Sequence, residues 1–276
     1  MRYMTINING DLVDCNEPKV AGILNVTTDS FFDGGRYSTI DKALKQTEKL
    51  IDEGADFIDI GGQSTRPDSE FLSDETELSI VIPVIKAIKK EFPRVKLSID
   101  TFWSKVAIES VNEGVGMIND ISGGTLDNKM FETMGKLNVP YVLMHMRGTP
   151  QTMGNYTDYE NLITDINYYF SKKISELRKF GVNDILLDPG FGFSKTLQQN
   201  YDLLKNIDKF KIFNLPLYIG ISRKSMIYKC LETSAEDALI GTSALNLYAL
   251  EKGAQILRVH DVKEAKQMIK LWKMLN

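Results

Sequence analysis

The stretch Phe57–Ser69, FIDIGGQSTRPDS, sets an amide, two hydroxyls and a guanidinium (Gln63, Ser64, Thr65, Arg66) directly after a short apolar run and a Gly61–Gly62 pair, and closes on Pro67. A packed core has no use for that set. A Gly-hinged loop carrying it suits an anionic ligand that must be gripped and released, although ordinary turn chemistry produces the same residues. The pattern gains weight by recurring. Other apolar runs end in Asn25, Asp100-Thr101, Asn119-Asp120, Met144-His145-Met146-Arg147, Asp188-Pro189-Gly190, Gly220 followed by Ser222-Arg223-Lys224-Ser225, and Arg258-Val259-His260-Asp261. Two chemistries separate. Asp100, Asn119, Asp188 and Lys224 suit a flat, nitrogen-rich heterocycle: carboxylates accept from ring N–H and amino groups, while amide and ammonium donate to carbonyl oxygens and ring nitrogens. Asn25, Arg66, Arg258 and His260 suit a phosphate group. Together they imply a heterocycle bearing a phosphate or diphosphate.

Each residue also has a structural alternative. An Asp at a strand end is often the N-cap of the next helix, and Asn119 is an ordinary turn residue. A lone Arg223-Lys224 pair is commonly a solvated helix start. Met144 and Met146 are commoner in packing than in recognition. DPGFGFSKT (188–196) looks like a Gly-rich phosphate cradle but lacks the GxxxxGK[ST] spacing. Their shared position in the chain is the stronger signal.

The elements that must position them alternate regularly. After a weakly alternating start with Asn9-Gly10, which reads as a hairpin acting as a lid or plug, Val20–Val26 is a near-continuous apolar run, as for a strand buried on both faces. Helical spacing follows over Ile40–Ile51. The strand–helix unit then repeats: 57–60 with 73–92, 96–100 with 103–113, 116–119 with 128–137, 141–145 with 159–180, 185–188 with 197–207, 217–221 with 224–251 (interrupted), and 255–259 with 262–275. Gly54, Gly114, Gly181 and Gly253 stand where helices end. Eight such units over residues 1–276, with no linker, predict a single (β/α)8 TIM barrel with a short N-terminal β-hairpin. An open doubly wound sheet is the competitor, but it needs special chemistry only at its switch point, and here nearly every strand ends in it.

The bulk properties narrow the class. A formal net charge of −4 argues against a nucleic-acid binder. Cys15 and Cys230 show no metal or disulfide spacing and read as free thiols of a reducing compartment. The start MRYMTINING lacks the apolar core of a secretory signal, and no run approaches the roughly 20 apolar residues of a membrane span. A cytoplasmic protein is expected.

The segments GILNVTTDSFFDGG, DIGGQSTRP, SID (98–100), INDISGG, LMHMRGTPQTM, LLDPGFGFSKT, ISRKS and RVHDV stand in one order over about Val20 to His260. In that order they resemble the dihydropteroate synthases of folate biosynthesis. The resemblance implies a (β/α)8 barrel, usually a homodimer, that joins 4-aminobenzoate to 6-hydroxymethyl-7,8-dihydropterin diphosphate with Mg2+ present, releasing pyrophosphate. It further implies a pterin pocket of Asp100, Asn119, Met144, Asp188, Gly220 and Lys224. The diphosphate falls to Asn25 (through the metal), Arg66, Arg258 and His260. Phe31, Thr65, Pro67, Phe193 and Ser225, with Lys224, fall to the aminobenzoate, where sulfonamide drugs also bind in the family. Asp33, Asp188 and Lys224 take the catalytic roles, since the C–O bond breaks first and a cation at the pterin methylene must be stabilised. Thr28, Gln63, Asp68 and Ser194 depart from the family's usual Pro, Glu, Gly and Gly. A pterin-dependent methyltransferase of the same fold is an alternative, though it does not need the STRP, SRKS and RVHD elements. A barrel that binds pterin without turnover is another.

Overall fold

The computed structural model describes residues 4–26, 36–63 and 71–275, with the backbone alone for 36–38. Thr5–Ile8 (β1) and Asp11–Asp14 (β2) pair antiparallel about Asn9-Gly10, whose φ angles of 53° and 91° are those a two-residue hairpin turn demands. Eight parallel strands follow: Lys19–Asn25 (β3), Phe57–Gly61 (β4), Leu97–Asp100 (β5), Met117–Asp120 (β6), Tyr141–Met144 (β7), Ile185–Asp188 (β8), Tyr218–Ile219 (β9) and Ile256–Val259 (β10). Their order is β8-β7-β6-β5-β4-β3-β10-β9, and a parallel bridge from Leu187 to Leu217 closes the ring. The helices Arg36–Asp52 (α1), Asp74–Glu91 (α2), Ser104–Asn112 (α3), Met130–Leu137 (α4), Leu162–Lys179 (α5), Leu197–Lys205 (α6), Ser225–Tyr228 (α7), Leu239–Glu251 (α8) and Val262–Leu275 (α9) form the outer layer. The expected barrel is the observed one.

Two-residue alternation sorts every strand. Outward residues such as Ile58, Ile60, Ile99, Ile118, Leu143 and Leu187 pack with the helices. Inward residues near the strand starts (Ala21, Phe57, Met117, Val142, Leu186, Tyr218, Ile256) make an apolar layer that Ile6, Ile8 and Cys15 complete from below. The hairpin is therefore a plug at the N-terminal end. It is fastened by Asn7 N–H donating to Asp184 Oδ2 at 2.8 Å, Asn9 Nδ2 donating to Gly114 O at 3.1 Å, and a 3.0 Å Lys96–Asp11 ion pair.

Helix ends follow local chemistry. Ser73 caps α2, Asn161 caps α5, and Thr196 with Gln199 makes a reciprocal capping box on α6. The glycines at 54, 114, 181 and 253 all take positive φ. Several expected elements are shorter than their sequence patterns, among them a strand and two helices. The strand over 217–221 is only two residues long, and Leu217 just before it gives its N–H to Gln255 Oε1. Helix α5 begins at Leu162, not Tyr159, whose hydroxyl reaches across to Ser194 O. The helical run from 224 divides into α7 and α8, with Glu232 at φ 53° between them. Among the described residues no helix is long and apolar enough to cross a membrane.

Candidate active site

The same alternation that builds the apolar layer builds the site above it. Two residues beyond each inward apolar position the side chain again faces the axis, and there Phe57 gives way to Asp59, Met117 to Asn119, Leu186 to Asp188, Tyr218 to Gly220 and Ile256 to Arg258. Ser98 and Asp100 stand in the same parity on β5. Of the expected pterin residues, Asp100, Asn119, Met144, Asp188 and Gly220 all occupy inward C-terminal strand positions or, for Gly220, the residue just past β9. A Cβ added to Gly220 would meet Arg258 at an ordinary contact distance of 3.8 Å, which places this position against the arginine. Asp120, beside Asn119, points the other way. It accepts from Tyr141 Oη at 2.6 Å and from the Ser122 and Gly124 amides, a structural turn.

Arg258 ties the inward acids together: Nε donates to Asp59 Oδ2 at 2.6 Å and Nη2 to Asp100 Oδ2 at 2.9 Å, while Asn119 Nδ2 donates to the same Asp59 oxygen at 3.0 Å. Burial pushes Asp100 up to about 7, with Arg258 opposing. Arg258, despite its burial, is held firmly protonated by Asp59 and Asp100. Two of its expected phosphate-gripping nitrogens are thus engaged by carboxylates. Asp59 was not expected as a site residue. It lies inside the apolar run and not at its end, and only its parity with Gly61 hints at the axis.

The loop after β8 forms the second wall. Asp188 is buried and shifted upward by that burial, with Lys224 and the Gly190 amide opposing; Gly190 N–H donates to its Oδ1 at 2.8 Å. Lys224, the residue before α7, donates to Phe191 O and lies 4.6 Å above the Phe193 ring; burial lowers it to about 8, Asp188 opposing. Phe193 packs with Phe102, Ile121, Met144 and Met146. Ser225 opens α7 beside it. The glycine-rich loop is not a phosphate cradle, for its amides bond inward, Gly190 to Asp188 and Gly192 to Asn200 Oδ1 at 2.7 Å.

Sequence reasoning missed what holds this loop. Lys195 is buried, and its Nζ meets His145 Nδ1 at 3.1 Å, Gly190 O at 3.0 Å and Phe193 O at 3.0 Å. Burial brings Lys195 down to about 7 and keeps His145, itself buried beside Lys195, well below its usual range. His145 is therefore a strut, although it shares a strand tip with the site residues. Ser194, at φ 48°, accepts Arg147 N–H on Oγ at 3.0 Å and Tyr159 Oη on its carbonyl at 3.0 Å.

At the rim, Ser222 Oγ lies 3.0 Å from His260 Nδ1. Desolvation and the Arg258 charge hold His260 down to about 4, so its ring is neutral. Arg223 is not a solvated helix start: Nε and Nη2 clasp Asp261 at 2.9 and 2.7 Å. Asn25 is the exposed last residue of β3, next to Gly61 in register. Gln63 accepts Leu72 N–H at 3.1 Å, bracing both sides of the loop that follows β4. Phe31, Asp33, Thr65, Arg66 and Pro67, with the departures Thr28 and Asp68, lie outside the described residues. Among the described residues no group of three or more His, Cys, Asp or Glu side chains is arranged to hold a metal ion. Mg2+ carried by phosphate groups needs only one or two protein oxygens and keeps several waters, and the exposed Asn25 amide fits that demand.

A family model described as "Pterin binding enzyme" matches residues 21–260. The dihydropteroate synthase of Haemophilus influenzae is 41% identical over 272 residues, covering 98% of this chain and 98% of that protein. Among solved structures, the Yersinia pestis dihydropteroate synthase in complex with a sulfonamide drug aligns with TM-score 0.91 at 41% identity, over 99% of this chain and 98% of that one. The Xanthomonas albilineans dihydropteroate synthase with 4-aminobenzoic acid aligns with TM-score 0.91 at 34% identity, over 99% of this chain and 98% of that one. With its inward polar ring, its sequence order and its whole length matched, the chain belongs to the dihydropteroate synthases of the pterin-binding enzyme family.

Proposed function

We propose that the protein condenses 4-aminobenzoate with 6-hydroxymethyl-7,8-dihydropterin diphosphate, giving 7,8-dihydropteroate and pyrophosphate in folate biosynthesis. The observation that carries this is the ring of Asp100, Asn119, Asp188 and Arg258 facing one axis, with Lys224 leaning in from the next loop. Carboxylates and an amide at that depth match a 2-amino-4-oxo heterocycle edge. The pterin lies against Asp100, Asn119, Met144, Asp188, Gly220 and Lys224. Its diphosphate faces the rim, where Asn25 and His260 stand with what remains of the Arg258 fork, and Arg66 is assigned to the same group.

The reaction breaks the C–O bond between the pterin methylene and the diphosphate, and then forms a C–N bond to the neutral arylamine. Charge, and not a nucleophile of the protein, is what the chemistry requires. Asp188, with Asp33 from the loop after β3, holds negative charge near the methylene cation. His260, neutral and oriented by Ser222, offers an N–H to the departing diphosphate. Mg2+, held through Asn25, supplies further neutralisation of that diphosphate when bound. The arylamine ring is received by Phe193, Lys224 and Ser225, with Phe31, Thr65 and Pro67.

The functional unit is a homodimer. Helix α8 is apolar on all sides and turns Ile240, Leu247 and Tyr248 outward, which favours a covered face there. Free thiols at Cys15 and Cys230 suit the cytoplasm. Pyrophosphate release by the purified protein, dependent on both 4-aminobenzoate and the pterin diphosphate, tests the assignment. Methyl transfer without pyrophosphate release, or binding without turnover, would overturn it.

A further inference from the structure

Asp59 sits in the middle of β4, 0% exposed, and one of its oxygens accepts from opposite sides of the barrel, from Asn119 on β6 and Arg258 on β10. Each of those strands stands two places from β4 in the sheet. A carboxylate at such depth is tolerated only when paired and hydrogen-bonded. Its second oxygen, Oδ1, is buried with no hydrogen-bond partner among the described residues. The two site residues, not the scaffold, therefore fix its orientation.

That arrangement has chemical consequences for both partners. An amide facing a carboxylate must turn its NH2 toward it, since two acceptors repel, and Asn119 then leaves its carbonyl oxygen for a ligand. Asn119 thus meets the ligand as an acceptor, where the residue type alone suggested a donor. Arg258 gives Nε to Asp59 and Nη2 to Asp100, which sets the plane of its guanidinium and leaves Nη1 as the nitrogen neither carboxylate engages.

We propose that Asp59 is a positioning residue that sets the hydrogen-bonding polarity of the heterocycle site. By holding Asn119 with its oxygen outward and Arg258 in one plane, it makes this wall accept a donor-rich heterocycle edge, such as one carrying an amino group, and reject a carbonyl at that place. The proposal rests on the pterin reading above.

Isothermal titration of the full chain with 6-hydroxymethylpterin and with the corresponding lumazine, which carries a carbonyl in place of the 2-amino group, tests it. The unsubstituted protein is expected to favour the pterin by about 100-fold or more. In Asp59→Ala, which removes the acceptor oxygen, the Asn119 amide is released, and the preference narrows to within about tenfold. The KM for the pterin substrate rises, while that for 4-aminobenzoate stays within about twofold, a split that general loss of folded protein does not produce. A folded Asp59→Ala protein that keeps the full preference overturns the proposal. If circular dichroism shows that variant unfolded, Asn119→Ala replaces it, with Asp59 still paired to Arg258. The same narrowing is expected, and a retained preference overturns the proposal. An unsubstituted protein that binds neither compound overturns the pterin reading as well, and is recognised by that result.

Discussion

The two ends of the barrel interior are built from the same strands, two residues apart, and differ in almost everything else. At the N-terminal end Phe57, Met117, Leu186, Tyr218 and Ile256 face one another across an apolar layer, and a hairpin seals it with Ile6 and Ile8. At the C-terminal end Asp59, Asn119, Asp188 and Arg258 stand one inward step further along. One end is occupied by the protein's own chain; the other is left for a ligand. Stability and function are thus assigned to different layers of one ring, as expected where fold and site share a scaffold.

Substitution at each end should therefore fail in a different way. The largest effect is expected for Asp188→Ala, which should weaken binding of a pterin diphosphate analogue by roughly 2–5 kcal/mol with little change in thermal midpoint. Calorimetric titration beside a melting curve reads both, and a large midpoint loss would blur the division between layers. Ile8→Ala, in the plug, should cost roughly 2–4 kcal/mol of stability in urea unfolding while leaving kcat/KM of the folded protein intact. Lost activity at matched folded fraction would show that the plug reaches the site.

Glu77, in the first turn of α2, tests the boundary between the two. Burial raises it to about 8, with Thr101 opposing. Because its folded pKa lies above its unfolded value, the folded chain holds the extra proton. The stabilisation is complete below the ordinary carboxylate range and is lost as pH rises through about 8. Glu77→Gln should therefore stabilise the protein at pH 8 by on the order of 1–3 kcal/mol, and the gain should vanish in acid. Melting curves at both pH values decide it.

A milder pH effect belongs to the active end. Asp100 must be ionised, which needs pH above about 7, and Lys224 protonated, which needs pH below about 8. The kcat/KM for the pterin substrate should peak between those values and fall up to tenfold per pH unit on either side. A flat profile from pH 6 to 9 would remove one of these groups from the reaction. The smallest effect is expected for Ser194→Gly, where relief of the left-handed φ of 48° opposes loss of the bond from Arg147. Net stability should move by less than about 1 kcal/mol. Hydrogen exchange at Arg147 N–H should quicken, and unchanged exchange would mean that the serine does not brace the loop.

Most of the expected residues that the structure brings to the axis share one property: they end or follow an apolar run. Asp100, Asn119, Asp188 and Lys224 could be picked out because a polar side chain there breaks a visible pattern, and Arg258, inside Ile256–Val259, because a cation in an apolar run stands out. Asp59 could not, since Phe57–Gly61 reads as one buried strand and the acid in its middle looks like a local exception. His145 shows the opposite case, for it follows a strand as a site residue would but turns to Lys195. Lys195 itself reads as a loop charge, and only the fold shows it buried among two carbonyls and an imidazole.

Local backbone geometry fixes a period of two in strands and 3.6 in helices, and from these the chain alone determined eight alternating units, their order and the ring of polar tips. It could not determine who bonds whom inside that ring. Asp59 meets partners 60 and 199 residues away, and those pairings exist only once the sheet closes. Closure also decided which end the hairpin seals, because that rests on shape fit among side chains from seven different strands, a property no single segment carries.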